Sequence, residues 1–493
     1  MLRYPLVVAV LVAALVAPAP VEAERRPLVV VIAFDEFPVD SLLRPDARID
    51  SVRYPGFGRL ARIATWFPNA FSAHDRTTFA LPAMLDGRNP RPGSRPTRAD
   101  HPRNLFTLMA ANGYQVLANE PFTKLCPPLI CPDALLGGPG PAPFFLSKRV
   151  ARFRATVRSI RPRHRPLLVF HHQILPHQPW TLLPSGRQYQ AEPDPGDRGL
   201  SGPLGFHDAF LTNQNQQRHL LQVGFVDREI TQVLDRLERV HLLNRALVVV
   251  TADHGIGFDV GTSDRRSISR GNIAEVAPVP LFVKAPGQRQ GRTDRDYVST
   301  VDVVPTIAEI LQVGPLWPMN GRSAFRRRGR RSVRIPRSDF IGRVSITPAA
   351  LERARAANRR HKARLFGTGT DSLFRAGRHR RLLGQSLADF AVGLGEVKTV
   401  GFTSSFAFDP STLLAPIWFT GRVVGTGTDA ERDLTLTLNG RVAAVGRTFR
   451  LRGSQDERFS LLAPESALQA GSNEAALFEV HGDRLLRLEP AVD

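Results

Sequence analysis

The chain has 493 residues, 42% of them hydrophobic and 23% charged, enough for two or three domains with at least one sizeable core. Lys and Arg number 66 against 45 Asp and Glu, a net charge of +21. The cations are mostly Arg in a Pro- and Gly-rich background, and no zinc-finger, RNP or basic-zipper pattern accompanies them, so nucleic acid is not expected as a partner.

At the N-terminus Arg3 precedes an apolar run from Leu6 to Ala17 and the segment "PAPVEAERR". A short positive region, a dozen apolar residues and small residues up to Ala23 make residues 1–23 a secretory signal, or an uncleaved anchor. The run is shorter than the about 20 residues a membrane span takes. The mature chain is expected to be extracytoplasmic, with membrane-surface association where the anchor is kept.

"PLVVVIAFDEF" (27–37) is a β-branched run fitting a strand buried on both faces. "GFGRLARIATWF" (56–67) has helical spacing, and "HDRTTFALPAMLDGRNP" (74–90) opens an apolar helix with two threonines. "NLFTLMAANGY" (104–114) is a helix stopped by Gly113. Cys126 and Cys131 lie in "LCPPLICPD" and are expected to form a local disulfide, as exported proteins allow. "RPLLVFHH" (165–172), "ALVVVTADHG" (246–255) and "VPLFVKAPG" (279–287) are further strands. "VGFVDREITQVLDRLERVHLL" (223–243) and "STVDVVPTIAEILQV" (299–313) are further helices. This alternation predicts an α/β domain over 27–320 with a mainly parallel sheet flanked by helices. A basic linker and helix follow over 321–384. Short alternating strands over 385–493 predict a small β-sandwich, with Asn439-Gly440 suited to a type I′ hairpin turn.

Ligands of open α/β sheets bind beyond the carboxyl ends of the strands. Three apolar runs end there in polar pairs: Asp35-Glu36, His171-His172 and Asp253-His254. Carboxylates and an imidazole suit a divalent cation, and a hydroxyl at a helix N-terminus beside it is a candidate nucleophile. Each pair also has a plain structural reading: acids at a strand–helix turn are common caps, and Thr77 is an ordinary helix cap.

Taken in order, these segments resemble the alkaline phosphatase–sulfatase superfamily, and its sulfatase-type catalytic domain in particular, over about 27–315. The resemblance rests on "VVVIAFDEFP", "HDRTTFALPAMLDGRNP", "HHQILPHQPW" and the long helix leading into "VVVTADHG". It implies Asp35, Glu36, Asp253 and His254 as metal ligands and His172 and His177 as contacts to the ester or leaving group. It implies Thr77 as nucleophile, with Thr78 the alternative. One divalent ion is expected; manganese, zinc, magnesium and calcium are not separated by these ligand types. Arg266, Arg270 and Lys284 follow the Asp253 strand, each either an oxyanion contact or plain surface charge.

The departure lies in the nucleophile. Conventional sulfatases carry Cys or Ser in a C/S-x-P-x-R signal and oxidise it to formylglycine, whereas this chain reads Thr77-Thr78-Phe79-Ala80-Leu81. The expected function is therefore a hydrolase or transferase of phosphoesters on cell-envelope material, lipid- or glycan-linked, through a Thr adduct. Sulfuric ester hydrolysis is the first alternative, and a catalytically inert envelope-binding protein of the same fold the second.

Overall fold

The structure, a computed structural model, describes residues 26–131, 148–189, 200, 206–262, 264–314, 317–326, 329–425 and 431–491. The segment 1–23 lies outside the described residues. Among those described, no helix is long and apolar enough to cross a membrane.

Strands β1 (Val29–Asp35), β2 (Thr65–Trp66), β3 (Gln115–Asn119), β4 (Leu167–Pro176), β5 (Leu247–Ala252), β6 (Leu281–Lys284) and β7 (Arg292–Thr293) form one sheet. Their order is β3-β4-β1-β5-β6-β2-β7. β1 lies between β4 and β5 and is parallel to both; β6 is antiparallel to β5 and β2. The carboxyl ends of β4, β1 and β5 therefore meet at one edge. Helices α1 (Pro55–Ala61), α2 (Thr77–Asp86), α3 (Leu105–Ala111), α4 (Arg149–Ser159), α5 (Ala209–Arg239), α6 (Ile273–Val276), α7 (Val303–Ile310) and α8 (Pro348–Phe366) follow the chain order.

Every residue of β1 is buried, and alternate residues feed two cores. Val30, Ile32 and Phe34 face Phe57 of α1, Phe153 of α4 and Val226 of α5. Val29, Val31 and Ala33 face Leu81 and Met84 of α2, Leu105 of α3 and Ile307 of α7. Cover on both faces is why the strand reads as an unbroken apolar run. Asp227 of α5 accepts from the amides of Gly56 and Phe57 at 2.9 and 2.7 Å, fixing α1 to α5.

The basic linker is more ordered than expected. Its second half forms a hairpin of β8 (Val333–Pro336) and β9 (Arg343–Ile346), and Val333, Ile335 and Val344 pack against Phe71 and Ile273. After it, α8 turns Arg355, Arg359 and Lys362 onto one buried face, as i, i+4 and i+7 spacing allows. Arg355 binds both Asp40 oxygens, at 3.0 and 2.9 Å, and Arg359 adds a contact at 3.2 Å. Lys362 donates to the carbonyls of Ser41 and Leu43 at 3.1 and 2.7 Å, so the loop after β1 is clamped. Asp40→Ala removes the main counter-charge of Arg355, while Arg359 keeps Glu352 at 2.7 Å, and is expected to cost about 3 kcal/mol in urea denaturation. Arg353→Ala, on the exposed side of the same helix, is expected to change stability by about 0.5 kcal/mol or less.

The C-terminal region is β-rich. It comprises β10 (Ala391–Val400), β11 (Ser405–Phe408), β12 (Trp418–Val424), β13 (Asp433–Leu438), β14 (Arg441–Arg447), β15 (Glu457–Leu462), β16 (Gly471–His481) and β17 (Arg484–Pro490). The eight strands are hydrogen-bonded in the order β14-β13-β16-β17-β10-β12-β15 with β11 beside β16. A bridge between Phe449 and Arg458 brings the two ends together, rolling the sheet around Leu436, Phe459 and Leu477. The turn between β13 and β14 has φ of 51° at Asn439 and 76° at Gly440, the two positive values a type I′ turn requires. The rolled sheet docks on the first half of α5: Gln214 donates to the Ser460 carbonyl at 2.8 Å, and Arg218 lies 4.1 Å over the Trp418 ring.

Candidate active site

Asp35 closes β1 and Glu36 follows with φ 58°, a left-handed conformation that strains any residue with a Cβ and turns the chain off the strand axis. The Glu36 amide points at Asp253 Oδ1 (3.4 Å), its carbonyl meets His219 Nε2 (3.2 Å), and the Asp253 amide donates to Phe34 at 3.0 Å. The ends of β1 and β5 are thus laced together, and both are fully buried.

The α2 helix brings the hydroxyl. Thr77 is its first residue; Arg76 holds the cap position, without a capping side-chain bond. Thr77 Oγ1 lies 3.2 Å from His254 Nε2, while Thr78 is exposed. His254 Nδ1 donates to the Gly255 carbonyl at 2.9 Å, which leaves the Nε2 lone pair facing Thr77. Unpaired amides at the first turn give this end of α2 positive character. The loop before it is pinned, since Asp75 accepts from the Ile268 amide (2.8 Å) and from Ser338 (2.6 Å).

The two histidines of β4 diverge, as neighbours on a strand must. His171 points away, with Thr156 at 2.7 Å and Asn119 at 3.3 Å, and belongs to the scaffold. His172 points into the acid cluster, its Nε2 3.6 Å from Asp35 Oδ2 and 4.0 Å from Asp253 Oδ2. His177 sits at the rim, with Nδ1 on the Gln178 carbonyl at 2.7 Å and Nε2 3.4 Å from Glu36 Oε1. Its loop is held from behind, where Arg149 donates to the carbonyls of His177 and Pro179 at 2.8 and 2.7 Å, and Gln222 to that of His177 at 2.9 Å. Burial is the largest influence on both imidazoles, lowering His172 to about 3 and His177 to about 4, so each offers a neutral nitrogen.

Glu36 stands in one candidate ligand group and is also paired with arginine. Arg265 grips both its oxygens, at 3.1 and 2.8 Å, and Arg266 lies 3.6 Å away. Burial would raise its carboxyl, but Arg265, His177 and Arg266 together bring it down to about 2. Of the three cations weighed after the Asp253 strand, only Arg266 reaches the cluster. Arg270 is exposed, and Lys284 is buried on the Asn244 and Ala246 carbonyls at 2.9 and 3.3 Å. Arg265 and His219 were not singled out from the sequence. Arg265 is one of many arginines, and His219 is a lone histidine on a helix; only the Arg pair close behind "DHG" offers a signal.

The donor set fits a divalent cation. Asp35 Oδ1 and Oδ2, Asp253 Oδ2 and both His172 nitrogens are buried without a hydrogen-bond partner among the described residues. Such groups are costly to leave unpaired. Asp35, Asp253 and His254 each offer a ligand atom within 4.8 Å of the others, as do Asp35, Glu36 and His177. The first group is the freer, since Glu36 is already neutralised by Arg265. Burial, then the neighbouring Asp253 and Glu36 charges, hold the Asp35 carboxyl well above its usual range. Burial likewise raises Asp253. Away from this cluster, Cys126 and Cys131 are bonded as expected.

Parallel strands thus deliver these acids and imidazoles to a threonine at a helix N-terminus, and the middle third of the chain is similar to a known family. The Sulfatase family model matches residues 145–313. The human N-sulphoglucosamine sulphohydrolase is 36% identical over 89 residues, 18% of this chain and 16% of that protein. The endo-4-O-sulfatase of Bacteroides thetaiotaomicron is 23% identical over 184 residues, 36% of this chain and 35% of that protein. The matches thus span about a sixth and about a third of these curated relatives. A crystal structure of the phosphonate monoester hydrolase of Agrobacterium radiobacter superposes with a TM-score of 0.47 at 15% identity, covering 63% of this chain and 80% of that chain.

Proposed function

We propose that this protein is a metal-dependent hydrolase of anionic esters, working outside the cytoplasm on envelope or glycan-linked material, with Thr77 as its nucleophile. The observation that carries the reading is the Thr77 hydroxyl at the N-terminus of α2, 3.2 Å from His254 Nε2 and in the same cluster as the buried Asp35 carboxylate, whose oxygens lack hydrogen-bond partners among the described residues. Asp35, Asp253 and His254 are the residues that would hold a divalent cation, with His172 facing the same point. A bound cation supplies Lewis-acid activation and charge neutralisation.

In the proposed reaction Thr77 Oγ forms a bond to phosphorus as the ester P–O bond breaks, and the threonine proton ends on the departing alcohol. Water, or an acceptor hydroxyl in a transfer reaction, then attacks the phosphorus of the adduct and restores the Thr77 hydroxyl. Arg265 and Arg266, seated on Glu36, set positive charge beside the cluster for a substrate oxyanion. His177 at the rim lies where the ester or its leaving group would pass.

Phosphate esters are the first class because Thr77 carries a single oxygen on its Cβ. Its adduct can be released only by attack at the central atom, whereas the aldehyde hydrate of formylglycine has a second hydroxyl to expel the group. The second reading is sulfuric ester hydrolysis, favoured by the Sulfatase match and by relatives whose names describe sulfate-ester cleavage. Turnover of an aryl phosphodiester and an aryl sulfate by the metal-loaded protein separates the two. A higher kcat/KM on the phosphodiester is expected, and turnover of the sulfate alone would replace the first reading with the second.

A further inference from the structure

Two cavities of about 430 and 540 Å³ adjoin each other, with Arg375 and Leu383 lining both. They lie where α8 ends against the rolled C-terminal sheet and share no residue with the candidate active site. Arg364, Arg380 and Arg381 line the larger and Arg441 the smaller, and all five arginines are exposed. Asp371 is the carboxylate among the lining side chains. The charge is concentrated locally: residues 360–381 contain seven Lys and Arg and a single acid, Asp371. The ion pair recorded within the group, Arg381 with Asp483, is 4.0 Å long and exposed at both ends, which makes it weak.

We infer that this groove binds an anionic glycan strand. The surface is concave, which suits a linear polymer better than a membrane face. Phe374 and Leu383 give it an apolar wall for sugar rings, and Gln469 brings an amide that can pair with hydroxyls. Guanidinium forks match sulfate or carboxylate groups repeated along a chain. The inference rests on the proposed ester-hydrolase reading for its substrate class: a second contact on the same polymer holds the strand while Thr77 acts on it, raising the effective concentration of ester groups.

The test is titration of the full chain with a heparin-derived octasaccharide, its desulfated counterpart, phosphatidylglycerol vesicles and a single-stranded DNA 20-mer. The sulfated octasaccharide is expected to bind tightest and to weaken with salt. Replacing Arg375, Arg380 and Arg381 together with Gln is expected to raise its Kd about tenfold and leave kcat/KM for a small aryl ester unchanged. Arg98, Arg103 and Arg289 replaced together carry the same charge change elsewhere and are expected to have a much smaller effect. If the triple variant does not fold, Arg364→Gln with Arg441→Gln removes charge from the other walls. An unchanged Kd, an equal loss in the control, or tighter binding of vesicles or DNA overturns the groove. Each of these leaves the Thr77 reading standing, and loss of the Thr77 reading would leave the binding result intact.

Discussion

Thr77→Ala is expected to cut kcat for an activated aryl phosphodiester by at least about a thousandfold, the scale of losing a covalent nucleophile. The melting temperature should stay within a few degrees. Thr77 Oγ1 faces the His254 ring and the Asp253 carboxylate, both in the candidate site, and the residue caps nothing, because Arg76 occupies the cap position. Removing the hydroxyl therefore leaves the helix its backbone bonds and its packing through Leu81 and Met84. Thr78→Ala, at the exposed neighbour, is expected to keep activity within about twofold, as surface changes do. Equal losses in both variants would indicate a disturbed helix. Full activity in Thr77→Ala would remove the nucleophile assignment.

What the sequence makes legible here follows from burial. β1 is covered on both faces, so its apolar run announces a central parallel strand, and Asp35 and Asp253 stand where polar residues interrupt such runs. The long helix shows the limit. Periodicity identifies 223–243, yet α5 spans Ala209–Arg239. Its first half is polar because it packs against other polar groups: Gln214 on the Ser460 carbonyl, Gln217 on the Leu373 carbonyl, His219 against Glu36. A helix face buried through hydrogen bonds carries no hydrophobic signal. The partnership of Glu36 with Arg265 is equally hidden, since 229 residues separate them and arginine is common throughout the chain. The single rolled sheet is likewise set by distant pairings, such as parallel β10 and β17, that no local pattern encodes.

Chelation should expose the cost of the acid cluster. At a free metal concentration about a hundredfold above Kd, binding adds about 2.7 kcal/mol to stability, which for a domain of about 300 residues corresponds to a melting shift of about 4 °C. Asp35→Asn is expected to abolish that shift and turnover together. In the metal-free protein the same change should be neutral or stabilising, because it removes a buried carboxylate with no hydrogen-bond partner. The pH dependence follows from the raised Asp35 and Asp253 carboxyls. A carboxyl raised above its unfolded value of 3.8 contributes stability that is fully present below that value and is lost as pH climbs through the folded value. The share of metal-free stability carried by these two carboxyls is therefore lost as pH rises from about 4 toward neutrality. The lowered His172 and His177 act in the opposite direction up to about 6.5. The added stability from metal, whose ligands must be deprotonated, grows with pH. Scanning calorimetry from pH 5 to 8 with and without chelator should show the two melting curves diverging as pH rises. Parallel curves, or an Asp35→Asn protein still stabilised by metal, would mean that the cation is not held by these carboxylates.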